Sequence, residues 1–386
     1  MRPEHEIRPA KSEAEAAQAF KLALGIFGKL RPGQRYRREK VDLWWADPSY
    51  SFRNLILAFD PSGSVTGLVR LVPRVMHRGR QRIRAVALSS VCVRADQRGS
   101  GLSSLLIGQA LAFAESRAAD LAFLVARRAA DHFYTRYGFW GVASYNRILL
   151  RRQDLGPAPR DLRFRPTVDA DVPALLQARS ACLREAFGAS QRDERLWRFL
   201  LRRFAGPSPI RWYTLVRGRQ AVGYALMDAS VVYELAWNRG ENAADALSSL
   251  ARHVRSRTSE LEIRAPSTHP LLGQPLLVDA AVVYRQCIYG GHMARILNAE
   301  RLGELLAERV LRSIRRLKVR SYEEAGDGIV LQYRYGRCRV ELQSSRGSAA
   351  LGYRATCRLL GLDAPSARVF RLDQALPFNL GIADEV

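Results

Sequence analysis

Lysine is scarce in this chain of 386 residues: of 61 basic side chains only Lys11, Lys21, Lys29, Lys40 and Lys318 are lysines. The formal net charge is nonetheless +24, carried by arginines spread along the whole chain. No basic tail forms, so the charge reads as an arginine bias, and nucleic acid is not an expected partner. Cysteine is sparse too. Cys92, Cys182, Cys287, Cys338 and Cys357 stand singly without a CxxC pair, which argues against a paired-thiolate site and fits reduced thiols in a cytoplasmic protein. The six histidines have no ligand spacing, so no metal is expected. No run approaches the roughly 18–20 apolar residues that span a bilayer, and the polar opening MRPEHEIRPAKSEAEAAQ does not read as a signal peptide. A hydrophobic fraction of 47% is that of a globular chain, and the length accommodates two or three domains.

What is present is an alternation of strand and helix signals, which predicts an α+β (or α/β) mixed-sheet domain over residues 1–152. Ser12 caps a helical run over Glu13–Leu30, and Leu55–Phe59 and Val65–Val72 flank an Asp60-Pro61-Ser62-Gly63 turn. Ile83–Val93 reads as a third strand, Gly101–Arg117 as a helix, Leu121–Val125 as a strand, Ala130–Tyr137 as a short helix and Val142–Leu150 as a closing strand. A linker rich in Gly and Pro occupies 153–160. The pattern then restarts. Phe164-Arg165-Pro166 echoes Ile7-Arg8-Pro9, an offset of about 157 residues, and a second hairpin turns near Gly218. Residues 161–297 are therefore a degenerate second copy, ending in an apolar run over Ala281–Leu297 and lacking a glycine turn before its helix. From 298 to 386 the texture changes to an amphipathic helix, Ala299–Leu317, followed by strands over Gly328–Tyr335, Cys338–Ser344 and Ala349–Leu359.

Chemistry concentrates in Val91-Cys92-Val93-Arg94-Ala95-Asp96-Gln97-Arg98-Gly99-Ser100-Gly101-Leu102-Ser103-Ser104. A strand enters a glycine-bearing turn that opens directly into a helix, so backbone N–H groups and the helix N-terminus can cradle a pyrophosphate. A dinucleotide fingerprint would need GxGxxG with a carboxylate after the next strand, and a Walker loop would need GK[ST]; neither is present.

This stretch resembles the pyrophosphate motif of the GNAT superfamily of N-acetyltransferases, [Q/R]-x-x-G-x-[G/A], laid over Arg98-Gly99-Ser100-Gly101-Leu102-Ser103 with serine in the last slot. His132-Phe133-Tyr134-Thr135-Arg136-Tyr137-Gly138-Phe139 resembles the family's F-Y-x-x-x-G-F segment, while Arg127 stands where many members carry asparagine. The resemblance implies acetyl-CoA as co-substrate. Val91 and Val93 would meet its pantetheine arm, and Arg98, Gly99, Ser100, Gly101, Leu102, Ser103 and Ser104 its pyrophosphate. Tyr134 would protonate the departing thiolate. Two GNAT-like domains in tandem followed by a small sterol-carrier-like α+β domain resemble the enhanced intracellular survival family. In that family's antibiotic-modifying members the C-terminal carboxylate is the general base, a role that would fall on Val386. The implied acceptor is a small-molecule amine or a lysine side chain, with Trp44 and Trp45 either lining its pocket or packing under a loop; a homo-oligomer is left open. A non-catalytic acyl-CoA or lipid-binding protein is the alternative expectation.

Overall fold

The computed structural model describes residues 5–27, 44–78, 81–126, 131–141, 144–183, 188–205, 209–229, 231–254, 260–266, 269–273, 281–286, 291–298, 301–302, 321–325, 329–334 and 337–342. The expected third-domain helix beyond residue 302, the strand over Ala349–Leu359, Arg127 and Val386 lie outside these residues.

The Arg-Pro echo marks the starting edge of two matching sheets. The first half contributes β1 (Glu6–Pro9), β2 (Leu55–Phe59), β3 (Val65–Arg78), β4 (Gln81–Val93), β5 (Leu121–Ala126), β6 (Trp140–Gly141) and β7 (Ser144–Arg151). The second contributes β8 (Leu162–Pro166), β9 (Arg211–Arg217), β10 (Gln220–Met227), β11 (Val231–Trp237), β12 (Glu260–Ala265), β13 (Ala281–Gln286) and β14 (Gly291–Ile296). Arg8 leaves β1 to hold helix α1 (Glu13–Phe27), its Nη1 and Nη2 donating to the Glu15 carboxylate at 2.8 and 2.9 Å. Arg165 makes the same fork to Asp171 at 2.7 and 2.6 Å, just before the second unit's first helix. Bidentate guanidinium–carboxylate pairs have a fixed geometry, so each sets the angle between an edge strand and the helix behind it.

Strand order is β1-β2-β3-β4-β5-β14-β6 in the first sheet and β8-β9-β10-β11-β12-β7-β13 in the second. The β4–β5 and β11–β12 pairs are parallel and their neighbours antiparallel, so the chain is α+β with two mixed sheets of one topology. The second strand from the far edge is exchanged. The strand expected to close the first domain, Val142–Leu150, lies as β7 in the second sheet, where Ile148 faces Ile263 of β12 and Val282 of β13. In return β14 leaves the apolar run 281–297 and enters the first sheet, with Met293 opposite Leu124 of β5 and Gly141 of β6. The 153–160 linker therefore divides the chain but not the sheets. A hydrophobic strand satisfies either gap equally in backbone bonds, so side-chain fit decides its placement. Ile148 is fully buried in the second core and Met293 in the first.

In the first unit α1 covers one face of the sheet through Ala16, Ala19 and Ala23, against Leu55, Leu57 and Leu68. Helix α2 (Leu102–Ser116) covers the other through Leu106, Ile107 and Ala110, against Ile56, Val69 and Leu88. Gly67 of β3 lets α2 sit close: a Cβ there would come within 2.6 Å of Leu106 Cδ1. A short helix α3 (Asp131–Thr135) precedes β6. The second unit packs α4 (Val172–Leu183), α5 (Glu194–Arg203) and α6 (Ala243–His253) around Trp197 and Tyr224. Its basic helix α5 buries Leu196, Trp197, Phe199 and Leu200 and leaves Arg195, Arg198 and Arg202 exposed, a solvated arginine face. The units also touch where Gln191 N–H donates to Val75 O at 2.6 Å.

After β14, Asn298 caps the next turn, accepting from Arg301 N–H at 3.0 Å, and Arg301 lies 3.2 Å from the fully buried Asp120 carboxylate. Beyond it β15 (Ser321–Ala325), β16 (Ile329–Arg334) and β17 (Arg337–Leu342) form an antiparallel three-stranded sheet. The β15 strand falls in a stretch to which the sequence pattern assigns no element. Because β7 belongs to the second core, Ile148→Ala is expected to cost about 3 kcal/mol. Denaturant unfolding followed at Trp197 should show that loss in one transition shared with the first unit; two separate transitions would count against coupling through the exchanged strands.

Candidate active site

Strands β4 and β5 pair only over Ala85–Ala87 against Leu121–Phe123. Beyond Ala87, β4 bends. Its register with β3 shifts between Leu68 and Arg70, and Ser90 adopts a left-handed φ of 50°. An extra residue at a bulge re-aims the strand end, and here it turns Val91–Val93 away from β5. On that side Val91–Val93 have no strand partner among the described residues, so their main chain faces the wedge between the strands.

A cavity of about 350 Å³ occupies this wedge, bounded by Ile26 and Phe27 of α1, Val91–Val93, the turn Gln97–Ser103, and Phe133 and Tyr134 of α3. Of the residues expected to hold a cofactor, it brings together Val91, Val93, Arg98, Gly99, Gly101, Leu102 and Ser103. Ser100 lies inside the turn, where its Oγ donates to Gln97 O at 2.7 Å and accepts from Leu102 N–H at 3.3 Å. Ser104 is exposed at the first turn of α2, its N–H donating to Gly101 O at 2.9 Å. Gly99 and Gly101 take φ values of 79° and 88°, a region L side chains avoid. Among the described residues the N–H groups of Gly99, Gly101 and Ser103 donate to no protein acceptor, and Arg98 makes no ion pair. Gly101 is the N-cap of α2 and has no side chain with which to cap it. The helix thus presents open donors and its positive end to the cavity.

Tyr134 lies on the opposite wall. Its ring contacts Phe133 at 5.1 Å and Phe139 at 6.2 Å between centroids, and Phe139 is fully buried beneath it. Burial pushes the Tyr134 phenol up to about 12, and Cys92, on the strand wall of the cavity, is pushed up to about 12 by the same cause. Tyr137 packs against Phe133 at 5.3 Å and does not line the cavity. The turn behind α3 is held by a residue that sequence reasoning missed: Arg295 of the exchanged strand β14 donates to Tyr137 O at 3.0 Å and reaches Glu115 of α2 at 3.5 Å. Trp44 is core, at 2% exposure. Trp45 stands 41% exposed over Phe20 at 4.3 Å, and neither lines the cavity.

In the second unit, among the described residues, the corresponding strand end is met by a side chain. Strands β11 and β12 pair at two positions, and past them His269 docks on β11, its Nε2–H donating to Leu235 O at 2.9 Å while Nδ1 accepts from Leu271 N–H at 3.1 Å. Burial lowers His269 to about 4, which keeps it neutral there. Glu234 of β11 is buried under a fork from Arg192 (2.8 and 2.8 Å), a bond from Arg179 (2.8 Å) and one from the Tyr224 hydroxyl (2.6 Å). Helix α6 is capped by Asn242, whose Oδ1 accepts from Ala244 and Asp245 N–H. Its donors are spent on its own side chain, whereas those of α2 are not.

Residues 6–143 match the family model for the acetyltransferase (GNAT) domain. Among curated proteins none matches the chain. Among solved structures, a GCN5-related N-acetyltransferase from Anabaena variabilis ATCC 29413 is 14% identical with a TM-score of 0.62, covering 98% of each chain. A GCN5-related N-acetyltransferase from Kribbella flavida is 17% identical with a TM-score of 0.61, over 97% of this chain and 96% of that one. Eis1 from Mycobacterium abscessus is 17% identical with a TM-score of 0.57, over 98% of each. At these identities the likeness is one of fold, and it spans the whole chain. Among the described residues no helix is long and apolar enough to cross a membrane.

A methyl at Gly101 would sit at a positive φ and over the open donors. Gly101→Ala is therefore expected to weaken acetyl-CoA binding at least tenfold in calorimetry, for about 1 kcal/mol of stability. The same titration of the unaltered chain should give one site per chain, since in the second unit His269 occupies a β11 carbonyl and Asn242 caps the helix.

Proposed function

We propose that this GNAT-fold chain transfers an acetyl group from acetyl-CoA to an amine by direct attack on the thioester. One observation carries the reading: one cavity is lined both by an uncapped, glycine-bearing helix N-terminus and by a partly buried phenol, Tyr134. The donors of Gly99, Gly101 and Ser103, with Arg98, fit a pyrophosphate. The unpaired main chain of Val91 and Val93 fits an extended amide-bearing arm, which would lie along β4 like an added strand.

In the reaction the amine nitrogen forms a bond to the thioester carbonyl carbon, and the C–S bond breaks as the carbonyl is restored. A β4 N–H near Val93, facing the wedge, supports the oxyanion. The sulfur takes the Tyr134 phenolic proton, and the amine's surplus proton goes to a base. A phenol pushed up to about 12 would be a poor acid toward a thiolate in water. Within the cavity a departing thiolate would be desolvated as well, which strengthens its demand for the phenolic proton. The base we propose is the carboxylate of Val386, and the acceptor a small-molecule amine or a lysine side chain. A protein that only bound acyl-CoA would have no use for the Tyr134 hydroxyl.

Tyr134→Phe is expected to lower turnover more than tenfold in a thiol-release assay while acetyl-CoA binding survives; equal turnover would remove the acid role. Because the phenol is raised above the ordinary 10, its acid form persists to higher pH. Turnover should hold through about pH 10 and fall only toward 12, and a loss below pH 10 would point to a different titrating group. Adding residues after Val386 should slow turnover at least tenfold without changing acetyl-CoA affinity if that carboxylate is the base, and leave it unchanged if not.

A further inference from the structure

On the α1 face of the first sheet, one pair of cross-strand residues away from the cavity, two arginines share one carboxylate. Asp47, 3% exposed, accepts from Arg74 twice, Nη2 to Oδ2 at 2.9 Å and Nη1 to Oδ1 at 3.3 Å, and once from Arg70 Nη2 at 3.1 Å. Burial alone would raise the Asp47 carboxyl, yet Arg74 and Arg70 hold it down at about 2, so it remains an anion. Arg74 is further engaged, donating to Ser49 Oγ at 2.6 Å and to Pro73 O at 3.0 Å. Arg70 is not. It is 7% exposed, lies 5.2 Å over the Trp44 ring, and among the described residues its Nε and Nη1 donate to no acceptor. Arg70 thus has half a share in one carboxylate and, on its remaining solvent-touching edge, donors that a second anion can meet.

Its position indicates which anion. Arg70 stands opposite Ser89 on β4, immediately before the left-handed Ser90 where the wedge begins. Two residues earlier on β3, Leu68 stands opposite Cys92, which lines the cavity, so Arg70 lies on the same sheet face as the cavity's α1 wall. From Ser89 to Val91 is two strand residues, roughly 7 Å. We propose that Arg70 is a specificity-determining residue of the acceptor site and that the acceptor is an amine carrying a carboxylate several bonds from its nitrogen. The proposal rests on the acetyl-transfer reading above. The carboxylate meets the open edge of Arg70 while the amine reaches the thioester beside Val91–Val93. A polycationic acceptor would instead bring positive charge toward a buried positive surplus, where the low local dielectric strengthens repulsion.

The test is thiol release from acetyl-CoA with the ω-amino acid series from glycine to 6-aminohexanoate, each against its own amide, and with putrescine as the cationic control. The best carboxylate is expected to exceed its amide at least tenfold in kcat/KM. Arg70→Met should abolish that difference with acetyl-CoA affinity unchanged. Where loss of the buried cation unfolds the chain, Ser89→Asp serves instead: it keeps Arg70, supplies the missing anion, and should likewise erase the preference. Amides or putrescine matching the carboxylates, or a carboxylate preference that survives in a folded Arg70→Met chain or in Ser89→Asp, would overturn the proposal. Failure of the acetyl-transfer reading is separable. If acetyl-CoA binds but no amine releases thiol, calorimetry with the N-acetylated products still reads the site. Tighter binding of the free acids than of their amides, lost in Arg70→Met, keeps the anion site, and equal binding removes it.

Discussion

Strand β4 has a partner on both sides over Ala85–Ala87 and, among the described residues, on one side after it, and the candidate site exists because of that change. The bulge at Ser90 bends the strand end out of the plane of β5, leaving main-chain groups that a sheet would otherwise consume. The glycine turn then follows within a few residues, so the unpaired strand and the unpaired helix N-terminus face one cavity. Buried backbone groups must find partners. In this wedge, among the described residues, no protein group supplies it. In the second unit His269 meets a β11 carbonyl and Asn242 caps the neighbouring helix, so one topology carries two different strand ends.

The exchange of β7 and β14 ties the two copies together. Each sheet is completed by a strand from the other half, so neither core is whole without both segments. The exchanged strand also reaches the site. Arg295 holds the carbonyl of Tyr137, three residues after Tyr134, and contacts Glu115 in the last turn of α2, so one guanidinium from the far half of the chain ties the aromatic turn to that helix. The second unit therefore does more than fill space. The contact of Gln191 with Val75 adds a further tie close to Arg70 and Arg74 on β3.

The parts of the site that could be read from sequence are those whose geometry is local. Gly99 and Gly101 need φ values only glycine takes cheaply, and they sit directly before an apolar helical run, so turn and helix are legible together. Tyr134 was legible through its spacing from that turn, and the Arg-Pro echo through its repetition, which the paired Arg8–Glu15 and Arg165–Asp171 forks explain. Ser90 was not, because serine has no special need of a positive φ and its conformation is imposed by the strands around it. Arg295, Asp47 and Arg70 were not, because their partners are distant in the chain and nothing in an arginine-rich sequence marks which guanidinium is buried.

By itself, then, the amino-acid sequence determined the two-copy α+β plan, the glycine turn that opens α2 and the aromatic segment at 132–139, since each depends on residue types acting over a few neighbours. Only the tertiary structure decided which sheet each closing strand joins, which strand end is met by a side chain and where the surplus positive charge is buried. Those outcomes turn on side-chain fit and charge balance between segments more than a hundred residues apart, and β7 and β14 are apolar strands whose backbone bonds either sheet would satisfy.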